Sequence, residues 1–161
     1  MNSIINTLIL TLFVCFSSVA QKEKLYDVNA VPETQIKEAL QKAKDTNKHV
    51  LIQMGGNWCA WCYRFHEFYK NDSELDSIIK ADYELININY NPNDLFFLKK
   101  LDYPHRFGFP VVIITDSTGK RLHTQNTWYL EDGKGSYDKE KFKDFLLNWN
   151  IKSLNPESYK K

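Results

Sequence analysis

Five consecutive residues, Trp58-Cys59-Ala60-Trp61-Cys62, carry the strongest chemical signal in the sequence. Two cysteines at i and i+3 share one face of a helix and lie close enough to form a small-ring disulfide. The apolar run upstream ends in Gly55-Gly56, so Cys59 falls where a strand hands over to a helix. Unpaired N–H groups and the positive end of the helix dipole favour a thiolate there. A lowered pKa makes Cys59 the attacking nucleophile at neutral pH. Cys62, one turn deeper, is the shielded thiol that resolves a mixed disulfide, and proximity makes that step intramolecular. Two other uses of the pair stay open. One is a structural disulfide, although so short a loop gains little from chain entropy. The other is part of a zinc site, for which His49, His66, His105 and His123 are present but no second Cys-x-x-Cys. Haem attachment is excluded, because Tyr63 rather than histidine follows Cys62. The reading therefore calls for no metal and no cofactor.

Phe109-Pro110 forms a second candidate, directly before the apolar run Val111–Ile114. Proline cannot donate to a sheet ladder, so at the first residue of a strand it marks a free backbone edge. A cis bond there would aim the Phe109 backbone at the cysteines, open to an extended peptide, with Trp58 as an apolar wall. The plain alternative is a proline that only starts a strand. Other residues weigh less. His66 and Glu67 read as surface or half-buried packing groups, and Arg64 as solvated. Trp128-Tyr129 reads as core packing over the sheet end.

These residues need a scaffold of alternating strands and helices. Leu25–Val28 is a weak first strand. Pro32 opens a helix whose stripe is Ile36, Ala39, Leu40 and Ala43. Val50–Met54 is a central strand buried on both faces. A helix from Cys59 to about Tyr69 follows, then a break at Asn71-Asp72-Ser73 and a short helix to Lys80 that Ser73 and Asp76 would cap. Tyr83–Tyr90 is a strand, Leu95–Leu101 a short helix and Val111–Ile114 a buried strand. Lys120–Thr127 is its hairpin partner at the sheet edge. Phe142, Phe145, Leu146 and Trp149 stripe the last helix, and the polar tail from Ser153 reads as frayed. The order is β-α-β-α-β-α-β-β-α. Its βαβ units call for parallel pairing, and its last two strands for an antiparallel hairpin. The result is an α/β mixed central sheet between helical layers.

The chain has 161 residues, enough for one domain. Lys and Arg number 21 against 20 Asp and Glu, a net charge of +1, which argues against nucleic acid or an anionic membrane as the main partner. With 43% hydrophobic and 25% charged residues, the composition excludes bulk disorder. Three cysteines are too few for a disulfide-stapled scaffold. Ile4–Phe16 is an apolar run of signal-peptide length, and Ser18-Val19-Ala20 supplies small residues for cleavage before Gln21. Residues 1–20 are therefore expected to be a signal peptide, and residues 21–161 an exported domain with a core of about 25–152. A buried N-terminal helix and a lipoprotein signal on Cys15 are the alternatives.

Trp-Cys-x-x-Cys at the start of the second helix, Gly-Phe-Pro-Val before the fourth strand and this element order resemble the thioredoxin superfamily. The stretch from Cys62 to Tyr90, with its helix break, is similar to the subgroup that includes the C-terminal domains of periplasmic thiol–disulfide interchange proteins. The resemblance implies a thioredoxin fold. It makes Cys59 the exposed nucleophile, Cys62 the resolving thiol, Trp58 the flanking aromatic and Pro110 the cis-proline beside the site. It implies protein thiols and disulfides as substrates; a reducing protein in an oxidising compartment would also need a dedicated electron donor, for which a membrane thiol–disulfide relay is expected. Two features depart from the pattern. Gln53 stands where thioredoxin has a buried Asp, and Ala60-Trp61 replaces the Gly-Pro or Pro-His dipeptide. Without a charge between the cysteines, the potential is expected near the reducing end, roughly −270 to −200 mV. The competing function class is a thioredoxin-fold binding or chaperone module with a structural or sensing disulfide. The sequence names no oligomeric state.

Overall fold

A computed structural model describes residues 24–160, so the apolar run, the cleavage site and Cys15 lie outside the described residues. Helix α1 (Pro32–Thr46) begins with Pro32 in its first turn. It ends at Asn47, which takes a left-handed conformation and donates its N–H to the carbonyls of the last turn. Strand β1 (His49–Gly55) is buried along its whole length. Helices α2 (Ala60–Asn71) and α3 (Ser73–Asp82) lead to β2 (Tyr83–Asn89). Helix α4 (Leu95–Lys100) precedes β3 (Val111–Thr115) and β4 (Arg121–Asn126), and α5 (Lys139–Asn148) and α6 (Ile151–Leu154) follow.

The four strands form one sheet in the order β2-β1-β3-β4. Strand β1 is parallel to β2, from His49 opposite Tyr83 to Gly55 opposite Asn89, and antiparallel to β3, which is antiparallel to β4. The period of two splits the β1 side chains between two cores. Val50, Ile52 and Met54 join Ile88, Val111 and Ile113 beneath Ala39, Ala43, Phe97 and Leu98 of α1 and α4. Leu51 packs on the other face with Phe65, Tyr69, Leu75, Phe142 and Leu146 of α2, α3 and α5. Gln53 shares the parity of Leu51, which directs it under α2. This is the thioredoxin fold, a mixed sheet flanked by helices.

Several local expectations are corrected. Leu25–Val28 is not a strand. The Asn57 side chain accepts from Tyr26 N–H (3.0 Å) and donates to Tyr26 C=O (2.8 Å), occupying the two groups that a ladder neighbour would use. Strand β3 runs antiparallel to β1 rather than parallel. The chain leaves β2 at the Gly55 end of β1 and re-enters β3 at Val111, opposite Met54 at that same end. Helix α3 is capped by Asp72, whose carboxylate accepts from the N–H groups of Glu74 and Leu75, one residue earlier than read. The tail forms α6, capped by Asn150, which also donates to Asp82 (3.0 Å), and a 3-10 turn over Pro156–Tyr159 capped by Asn155. Trp128 and Tyr129 are exposed. They occupy a 3-10 turn, Thr127–Leu130, whose three-residue period turns Thr127 and Leu130 inward instead.

Candidate functional site

Cys59 is the N-cap of α2, and its sulfur accepts the N–H of Cys62 at 3.1 Å. This uses one of the donors that the helix start leaves unpaired. The two cysteines are joined as a disulfide with Cα atoms 5.3 Å apart. Cys59 keeps 6% exposure and Cys62 none. Both sulfurs pack in one small cluster with the buried Tyr26, against Leu25, Trp61 and Phe109.

The aromatic surroundings divide into an exposed and an anchored part. Trp58 is 65% exposed and meets the half-buried Phe109 edge-on, with centroids 5.3 Å apart. Phe109 also packs on Tyr90 at 4.7 Å. The Phe109–Pro110 peptide bond is cis. Pro110 is buried, and its carbonyl accepts from Thr127 Oγ1 at 2.6 Å. Both residues precede Val111, the first paired residue of β3, so their backbone lies beyond the ladder at the sheet end that carries the cysteines. Trp61 turns the other way, edge-on to Tyr137 at 5.6 Å, and Arg64 stacks over it at 4.5 Å. Arg64 is thereby engaged with a ring.

Beneath the disulfide runs a hydrogen-bonded network that sequence reasoning missed. The Gln53 amide, wholly buried, donates to Tyr26 Oη (2.8 Å) and to the Cys62 carbonyl (3.1 Å). Its oxygen accepts from Tyr69 Oη at 3.1 Å, and Tyr69 Oη lies 2.8 Å from His66 Nδ1. Burial pushes the Tyr26 and Tyr69 phenols above their usual pKa. Burial, and then the Lys70 charge, hold His66 below the usual imidazole value. Neither His66 nor Gln53 is thus an isolated packing group. The only sequence signal was Gln53 itself, a polar residue inside an apolar strand. Nothing near Tyr26 in the sequence points to a partner 27 residues away. A second clamp holds the entry segment, where Tyr63 Oη donates to Asn57 Oδ1 (2.9 Å) and accepts from Leu25 N–H (3.3 Å).

Among the described residues no group of three or more His, Cys, Asp or Glu side chains converges to hold a metal ion. The dense chemistry is the Cys59–Cys62 pair, set at a helix N-terminus, at one end of the sheet and beside an exposed aromatic. A sulfur pair in that setting can accept a thiolate, pass through a mixed disulfide and close again.

A family model described as thioredoxin-like matches residues 31–117. No curated protein matches the chain. Among solved structures, a disulphide isomerase from Xylella fastidiosa Temecula1 is 25% identical, with a TM-score of 0.68 over 80% of this chain and 98% of that one. A thioredoxin from Thermus thermophilus is 15% identical, with a TM-score of 0.50 over 73% of this chain and 85% of that one. The oxidised C-terminal domain of DsbD from Neisseria meningitidis is 19% identical, with a TM-score of 0.49 over 72% and 90%.

Proposed function

The chain belongs to the thioredoxin-like family, and from that premise we propose that it is an exported thiol–disulfide oxidoreductase that reduces disulfides in protein substrates. The observation that carries this reading is the Cys59–Cys62 pair at the N-terminus of α2. The likeness to a disulphide isomerase at 25% identity supports exchange with protein thiols. In the reduced protein the Cys59 thiolate attacks one sulfur of a client disulfide, and the other client sulfur leaves as a thiolate. Cys62 then attacks Cys59 Sγ, the Cys59–client bond breaks, and the Cys59–Cys62 bond forms. Two electrons pass to the client, whose two sulfurs take up the Cys62 proton and one proton from water. Phe109 presents backbone to an extended client, Pro110 holds that backbone beyond the ladder beside the cysteines, and Trp58 walls the docking site.

Export rests on the apolar run Ile4–Phe16 and on Ser18-Val19-Ala20. A reductase in an oxidising compartment needs its own electron supply, and a membrane thiol–disulfide relay is the proposed donor. The near-complete burial of both sulfurs favours one other reading, a disulfide that only braces a binding or chaperone module. Two variants separate them. Cys59→Ser abolishes exchange with a protein disulfide, whereas Cys62→Ser accumulates client mixed disulfides on Cys59. A disulfide that dithiothreitol reaches only after unfolding, with no adduct on either variant, refutes the enzyme reading. Intact mass of the exported protein tests the start at Gln21.

A further inference from the structure

The polarity of the buried network follows from one carbonyl. The Cys62 C=O can only accept, so the Gln53 atom 3.1 Å from it is the amide nitrogen. That same nitrogen lies 2.8 Å from Tyr26 Oη, which therefore accepts there. A phenol oxygen that accepts from one side must direct its own proton elsewhere. No hydrogen bond of the described residues uses Tyr26 Oη as donor. A Cβ built on Gly55 shows what faces it. Such an atom would sit 2.7 Å from Tyr26 Oη and closer still to Cys62 Sγ. Oη and Sγ thus border the same small space, which the absent side chain of Gly55 leaves open.

We propose that the Tyr26 hydroxyl donates a hydrogen bond to the Cys62 sulfur in the reduced protein and so supports that sulfur as a thiolate when it resolves the mixed disulfide. The assignment rests on the exchange reaction proposed above. Position 53 carries an amide, which takes up no proton at neutral pH. Burial keeps the Tyr26 phenol protonated, so Tyr26 donates a hydrogen bond and passes no proton on. The Cys62 proton leaves with the departing client thiolate. The atoms balance with no base from the protein. Asn57 holds the Tyr26 backbone from both sides, which fixes the ring over the site.

The test reads the Cys62 pKa by NMR of Cβ-labelled cysteine in the Cys59→Ser protein, with and without the further substitution Tyr26→Phe. Losing the hydroxyl raises the Cys62 pKa by about one unit, roughly tenfold in thiolate, as for a hydrogen bond to a charged group. With both cysteines present, Tyr26→Phe slows decay of the mixed disulfide about tenfold and leaves the first attack by Cys59 unchanged. A Cys62 pKa and a resolution rate that both stay put in a folded Tyr26→Phe protein overturn the proposal. Should that variant fail to fold, a ring-fluorinated tyrosine at position 26 is a stronger donor and lowers the Cys62 pKa; an unmoved value overturns the proposal equally. The pKa needs no client, so absence of exchange activity with a shifted Cys62 pKa refutes the enzyme reading and the resolving role together, whereas an unmoved pKa refutes the hydrogen bond alone.

Discussion

Replacing Gln53 by leucine removes one buried amide and keeps its approximate volume. Gln53 is wholly buried and makes three contacts, to Tyr26 Oη, the Cys62 carbonyl and Tyr69 Oη. Their losses differ. The Tyr69 proton loses a buried acceptor, at about 1–3 kcal/mol. The Tyr26 oxygen loses a donor but keeps its proton for the sulfur side, a smaller term of about 1 kcal/mol. The Cys62 carbonyl belongs to α2 and loses least. Leucine recovers part of this by burying apolar surface. The losses sum to about 2–4 kcal/mol before that recovery, so the expected net loss is about 1–3 kcal/mol, a sizeable part of a domain's ~5–15 kcal/mol. Urea unfolding of the oxidised protein should show a lower midpoint at unchanged slope, since the surface exposed on unfolding is the same. The pairing logic makes a stricter demand. Tyr69→Phe removes the proton that lost its Gln53 acceptor, so adding it to Gln53→Leu should cost less than the sum of the single changes, by about 1 kcal/mol or more. A loss under about 1 kcal/mol for Gln53→Leu, or strict additivity of the pair, refutes the claim that the amide locks the network.

Trp58→Ala should leave stability within about 0.5 kcal/mol, as for most exposed positions, and still lower kcat/KM toward a protein disulfide; equal turnover removes Trp58 from the docking surface. Neither Ala60 nor Trp61 adds charge between the cysteines, and the helix start contributes about 0.3–1 kcal/mol, less than one pKa unit. Equilibration against glutathione and dithiothreitol should therefore give a midpoint of roughly −270 to −200 mV. A midpoint near about −120 mV identifies an oxidant and overturns the reductase direction.

What the sequence made legible was local. Val50–Met54 and Val111–Ile114 read as buried strands because an apolar run of that length, bounded by turn residues, leaves few other options. Cys59 and Cys62 were legible for a similar reason, since three-residue spacing on a helix is a contact in itself. The direction of β3 was not, because it depends on the end at which the chain re-enters the sheet, and the lengths of α4 and the following turn do not fix that. Tyr26 was misplaced in a strand because its partners, Asn57 and Gln53, lie on the far side of α1 in the sequence. Trp128 and Tyr129 were placed inward by residue type, whereas a 3-10 turn decides by period.

The amide at position 53 also decides how the site responds to pH. A carboxylate there would share a solvent-free pocket with two phenols and face the Cys62 carbonyl. Desolvation and the carbonyl lone pairs would both raise its pKa, toward the range in which thiols titrate. Proton uptake by the acid would then be coupled to that of Cys62. Glutamine removes the coupling. The phenols of Tyr26 and Tyr69 lie above their usual range and His66 lies below its own, so the network keeps one polarity across neutral pH. Between those limits the cysteines are the groups of the site left to change charge. The network then contributes geometry and a donor hydrogen, and the rate of the proposed exchange follows the thiolates alone.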